Sequence, residues 1–286
     1  MRRLSIVVVA LLCGPVFGQD ITLPEFERVV LENGTVLLLA EKHDVPLVGM
    51  RAVVRGGTVA DPTDRAGLGS LVATLLQKGA GQRDAAGFAD AAAGVGGTIS
   101  AGISTEATSV SAEFLSRDAA LMIDLVADML MRPTLAREEF DKERDRSIAL
   151  IQAAKGSNLN ALMPAYSGAF IFGDHPYGNP SFGSEEALAA ISHDELLAHY
   201  ANFFGGDRLV ISVVGDFDIE AMKARLTSVF GIWGPAAGGP VVLEPATPIT
   251  GRRVLLVDKP GAVQTYFWIG NVGVARDLSL IHISEP

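Results

Sequence analysis

Apolar and polar positions alternate along several stretches of this chain and recur at helical spacing along most of the rest. Residues 28–31 and 35–40 read as two strands flanking Glu32-Asn33-Gly34, a hairpin signal. Residues 48–55, rich in β-branched side chains, predict a third strand. Short side chains alternate from Thr98 to Glu113, which predicts a strand pair with polar outer faces, and the apolar run 209–214 reads as a buried strand. Leu68, Leu71, Val72, Leu75 and Leu76 fall at i, i+3, i+4, i+7 and i+8 and predict an amphipathic helix. Other helical patterns cover 84–93, ended by glycines, and 117–131, with Leu121, Leu125 and Val126 inward. A long charged helix follows Pro133 to about Ala154, with Thr134 as its cap; 159–172 is helical but broken at Pro164. After a loop at 173–183, Ser192 caps a helix to about Phe203, and 219–230 forms another. Residues 235–240 read as a linker, and 252–257 and 265–270 as two further strands.

The apolar stripe of the helix at 68–76 leaves Ser70, Ala73 and Thr74 together on the opposite face. That i, i+3, i+4 spacing suits an inverted zinc motif, His-x-x-Glu-His, in which two imidazoles bind metal and the Glu activates water. Here the slots hold a hydroxyl, a methyl and a hydroxyl. No base lies at a matching local position to make a nucleophile of Ser70 or Thr74. Gly94-Val95-Gly96-Gly97 follows a helix rather than a strand and so is no dinucleotide fingerprint, and no Gly-x-Ser-x-Gly elbow occurs. His43, His175, His193 and His199 are spread along the chain, and capping, turn and surface roles are expected of them rather than a new metal site.

Composition narrows the setting. With 286 residues, 49% of them hydrophobic, the chain can build a substantial core of one domain plus extra. A net charge of −10 argues against nucleic acid and anionic membrane surfaces as partners. Arg2-Arg3, the apolar run Leu4 to Leu12 and the small residues near Gly18 read as a secretory signal over 1–18, cleaved near Gln19. The run is too short for a membrane span of roughly 20 residues. Cys13 is the only cysteine and lies inside that segment, so the mature chain has no disulfide; Leu12 before it argues against a lipoprotein anchor. A periplasmic or secreted location is expected. Residues 278–286 are expected to be a non-native tail.

A series of short phrases carries a family resemblance: Asn33-Gly34-Thr35, Glu41-Lys42-His43-Asp44-Val45-Pro46, Arg55-Gly56-Gly57-Thr58, Ala66-Gly67-Leu68, Lys78-Gly79, His175-Pro176-Tyr177-Gly178, Val213-Val214-Gly215-Asp216 and Asp258-Lys259-Pro260-Gly261. In this order they resemble the insulinase/pitrilysin zinc peptidases, specifically the processing-peptidase-like branch. The resemblance places Ser70 and Thr74 where the ligand histidines belong and Ala73 where the catalytic Glu belongs. It places Ala149-Leu150, after Glu143-Arg144, where the third ligand belongs. Neither a catalytic residue nor a metal ligand is therefore assigned. The resemblance also places Ser100 and Ala101 at the edge-strand pair that orients substrate peptide, and main-chain pairing there needs no metal.

The fold this implies is α+β, a mixed, largely antiparallel sheet covered by helices. Its domain would span 22–234, with a linker at 235–244 and a truncated start of a second homologous domain at 245–277. The function implied is a secreted pseudopeptidase subunit that binds peptides beside a zinc-bearing paralogue, with the zinc in that partner and no cofactor in this chain. A self-sufficient zinc endopeptidase with an unorthodox site, or a stand-alone peptide-binding module, are the alternatives.

Overall fold

The computed structural model describes residues 25–261 and 264–273; the signal-like segment 1–18 with Cys13, and the tail 278–286, lie outside the described residues. The strands are β1 Glu27–Val30, β2 Val36–Glu41, β3 Leu47–Arg55, β4 Gly79–Ala80, β5 Arg83–Asp84, β6 Thr98–Ile103, β7 Ala107–Leu115 and β8 Leu209–Gly215. The helices are α1 Leu68–Leu75, α2 Ala85–Ala93, α3 Ala119–Met131, α4 Arg137–Ser157, α5 Met163–Phe172, α6 Glu185–Ala190, α7 His193–Phe203 and α8 Ile219–Phe230. Six strands form one sheet in the order β1-β2-β8-β3-β7-β6, and only β2 and β8 run parallel. The α+β architecture expected from the sequence is the one observed.

Alternation along the strands gives the sheet one buried face. Val48, Met50, Ala52 and Val54 of β3 and Val110, Ala112 and Phe114 of β7 are buried, while Arg51, Arg55 and Glu113 of the intervening positions are exposed. Helices α1, α3 and α8 contact this sheet, and its core holds Leu37, Leu39, Leu75, Met122, Phe114 and Phe230. Burial of each such side chain contributes about 1.5–3 kcal/mol. At one end the β6–β7 turn sits on Gly57, whose φ of +66° and close approach to backbone leave no room for a side chain: a Cβ would lie 2.5 Å from the Ser104 carbonyl oxygen.

Several local expectations are corrected. Thr134 does not cap α4, which starts at Arg137; the Thr134 amide instead donates to Gly79 O at 3.0 Å, and Leu135 takes a left-handed φ of 44°. Pro164 does not break a helix but sits in the first turn of α5, where its missing N–H costs no intrahelical bond. The short helix α6 was not anticipated, although Ser184 before Glu185-Glu186 is a capping signal, and the Ser184 side chain accepts from the Ala187 amide. Residues 252–257 and 265–270, expected as strands, join no ladder among the described residues, and each is exposed. The start of the expected linker is docked on the domain: Arg208 donates to Gly238 O at 2.6 Å and to Gly239 O, and Asp207 accepts from the Ala236 amide.

Candidate functional site

The site is built around the N-terminal half of α1. Gly67, left-handed at φ +97°, turns the chain into the helix. The Asp61 carboxylate, six residues upstream, accepts from the amides of Gly67 (3.0 Å) and Gly69 (2.8 Å), which satisfies two of the free donors at the helix start. Gly183, with φ +82°, brings the loop 179–183 against the same turn; a Cβ there would meet Ala66 O at 2.5 Å. This loop lies across the motif face, and the Ser70 hydroxyl donates to Ser181 O at 2.6 Å.

A cavity of about 330 Å³ opens on that face, lined by Ser70, Ala73 and Thr74 from α1, Ala101 and Ile103 from β6, Ser147 from α4 and Phe182 from the loop. The three α1 positions singled out by spacing are therefore brought together on one wall. From α4, Ser147 lines the cavity; Ala149 and Leu150, which the resemblance places at the third-ligand position, are exposed and outside the lining. Ser147 lies one helical turn beyond Glu143, and Glu143 pairs with Lys78 at 2.7 Å, tying α4 to the end of the motif helix. Zinc in such a face needs imidazole or carboxylate ligands and a carboxylate base. Ser70, Ala73, Thr74 and Ser147 supply none, so the residues present do not fit the metal. Among the described residues, no three His, Cys, Asp or Glu side chains are grouped to hold a metal ion.

Among the described residues, strand β6 is an edge of the sheet, paired only with β7. Ser100 and Ala101 are adjacent and so project to opposite faces. Ala101, opposite Val110 in the ladder, lies on the helix-covered side and lines the cavity; Ser100, opposite Ser111, is exposed on the other. The Gln77 side chain donates to Ala101 O at 3.3 Å from the end of the motif helix.

Each remaining histidine has its own environment. His43 bridges Asp216 (2.6 Å) and Glu41 (2.7 Å), which joins two of the sequence phrases and raises its pKa, the Asp216 hydrogen bond first and Glu41 second. The His175 Nδ1 accepts from the Tyr177 amide, and His193 Nε2 donates to Leu135 O at 2.7 Å. His199 is not on the surface. It is buried beneath α1, 3.8 Å from Asp61. Burial lowers its pKa to about 4; burial raises that of Asp61 to about 7, against the lowering effect of the Gly69, Gly67 and Leu68 amides. Sequence reasoning missed this pair, which is 138 positions apart with no local motif.

Fold and site together define a metallopeptidase-like domain whose motif face holds no ligand side chain. Residues 36–183 match the family described as insulinase (peptidase family M16), and residues 190–280 match the peptidase M16 inactive domain. The chain belongs to the M16 (insulinase) family. An uncharacterised zinc protease of Mycobacterium leprae is 31% identical over 252 residues, 87% of this chain and 54% of that protein. A Helicobacter pylori protein named non-peptidase homolog YmxG is 24% identical over 67% of this chain and 44% of its own length. The chain thus spans about half the length of these curated relatives. The crystal structure of a peptidase M16 inactive domain from Pseudomonas fluorescens shares the fold, with a TM-score of 0.71 at 20% identity over 78% of this chain and 54% of that one.

Proposed function

We propose that this chain is a non-catalytic M16 subunit that binds peptides by strand addition to β6 and leaves hydrolysis to a zinc-bearing paralogue. The observation that carries the reading is the motif face of α1, where Ser70, Ala73 and Thr74, in the positions the resemblance gives to two histidines and a Glu, line the cavity together with Ser147. None of these side chains binds zinc well, and none is a base that could activate water. The outer edge of β6, where the Gln77 amide would have to yield Ala101 O, needs no side-chain chemistry of its own to receive an extended peptide, because main-chain N–H and C=O groups give the affinity. A relative named as a non-peptidase homolog is consistent with loss of catalysis within the family. Residues 1–18 direct the chain to the periplasm or beyond, Ser100 and Ala101 belong to the peptide-contact strand, and zinc belongs to the partner.

The test has three readouts. Zinc per chain after dialysis against trace zinc should be near zero, and the chain alone should not cleave peptides. Extended peptides should bind, and methylation of alternate backbone nitrogens should abolish binding. Co-expression with a paralogue bearing an intact His-x-x-Glu-His should give a heteromer whose activity is lost when the paralogue's own Glu becomes Gln. One zinc per chain, removed by chelator together with proteolysis by the chain alone, would establish the self-sufficient peptidase instead.

A further inference from the structure

The hydroxyl groups of the cavity share a constraint. Ser70 Oγ donates to Ser181 O at 2.6 Å, Thr74 Oγ1 to Ser70 O at 2.9 Å, and Ser147 Oγ to Glu143 O at 2.7 Å. A hydroxyl has one hydrogen and two lone pairs. Each acceptor here is a carbonyl, so each hydroxyl has committed its hydrogen to the backbone and retains only acceptor capacity. The other walls are apolar, including Leu71, Ile103 and Leu188, and among the described residues no charged side chain lines the space.

The position of the cavity relates it to the β6 edge. Ala101 and Ile103 line it, and both lie on the helix-covered face of the strand. A peptide strand added beside β6 would direct every second side chain to that same face. One such side chain would enter a space of about 330 Å³, open enough for any single residue.

We propose that the cavity over the motif face of α1 is a side-chain pocket for one position of the added peptide, selective for an uncharged hydrogen-bond donor on an apolar body: a phenol, an indole or a primary amide. A carboxylate meets lone pairs and no donor. An ammonium or guanidinium loses its hydration with no counter-charge in the lining. A purely apolar side chain fits but forgoes the hydrogen bond. The proposal rests on strand addition to β6, and the experiment separates the two.

Binding of an acetylated, amidated, uncharged host peptide to the full chain would be measured by calorimetry, with the varied residue placed at successive positions to find the register. At the responsive position Tyr should bind about fivefold more tightly than Phe, the gain of one net hydrogen bond. Gln should exceed Glu by about tenfold or more. In the Ser70→Ala/Thr74→Val/Ser147→Ala variant, which removes all three acceptor hydroxyls, Phe binding should hold while the Tyr-to-Phe ratio falls to about one. The retained Phe affinity also reports that the variant is folded. If wild-type chain binds the peptide in a manner abolished by backbone methylation, yet Tyr and Phe bind equally at every position, the pocket assignment is wrong and strand addition stands. Persistence of the Tyr preference in the variant also overturns the assignment. If no extended peptide binds, or backbone methylation is without effect, strand addition fails and the pocket falls with it.

Discussion

Asp61 and His199 show how two buried ionisable groups can be present with little pH signature. A histidine whose folded pKa is lowered from 6.5 to about 4 binds fewer protons folded than unfolded in that window. Its contribution to stability is complete above 6.5 and is lost as pH falls toward 4. Asp61, raised from 3.8 to about 7, has the opposite sign: its contribution is complete below 3.8 and is lost as pH rises toward 7. Between about 4 and 6.5 the pair holds one proton folded, and the two free side chains hold one unfolded, so the slopes offset. We expect Asp61→Asn to expose the histidine slope, with stability falling from pH 6.5 to 4. His199→Gln should expose the carboxyl slope, with stability falling from pH 4 to 7. The change should be about 3 kcal/mol for the histidine slope and about 4 kcal/mol for the carboxyl slope, against a nearly flat wild type, read from urea unfolding at stepped pH. The identity of every motif residue at this scale was legible in the sequence, since helical spacing alone puts Ser70, Ala73 and Thr74 on one face. Their long-range partners were not, because Ser181, Asp61 and His199 reach α1 from other elements.

Elements were legible where their apolar period was strong and uninterrupted. Strands β2, β3 and β8, the pair β6 and β7, and helices α1, α3 and α8 lie where alternation or helical spacing placed them. Boundaries set by tertiary contact were not, as at the start of α4, where the Thr134 amide is drawn to Gly79 O. The third wall of the cavity is a related case. Glu143, Ser147 and Leu150 share one helix face by spacing, and packing against α1 decides that Ser147 lines the cavity. Grafting Ser70→His, Ala73→Glu and Thr74→His should therefore give only a weak zinc site. Addition of Ser147→Glu should raise zinc affinity at least about tenfold, and Leu150→Glu should not; competition with a zinc indicator measures both. Gly57 carries the second prediction of this kind. Gly57→Ala should cost about 2 kcal/mol or more by chemical denaturation, because the new methyl meets the β6–β7 turn at a left-handed φ.

Across the whole molecule, the sheet order does not follow the chain. Strand β8, which lies in the segment matching the inactive domain, pairs between β2 and β3 of the segment matching the peptidase. A chain cut after Gly183 would expose the inner edges of both neighbours and should aggregate or unfold without a cooperative transition. A chain cut after Gly239 keeps every helix and strand described and should retain one. Circular dichroism melts of the two would show this. Among the described residues no helix is long and apolar enough to cross a membrane.

By itself the sequence determined that this chain builds a helix-covered α+β sheet and that its motif helix bears hydroxyl and methyl groups where a zinc peptidase bears ligands. Periodicity and residue identity need no neighbours to be read, and the correspondence with zinc-peptidase ligand positions is what the family resemblance implies. The tertiary structure alone decided that Ser147 completes the cavity, that its hydroxyls are left as acceptors, that Ala101 rather than Ser100 faces it, and that an Asp–His pair lies beneath. Each of these depends on which distant backbone carbonyl, strand or side chain comes within hydrogen-bonding or packing distance, and the folded sheet is what sets those distances.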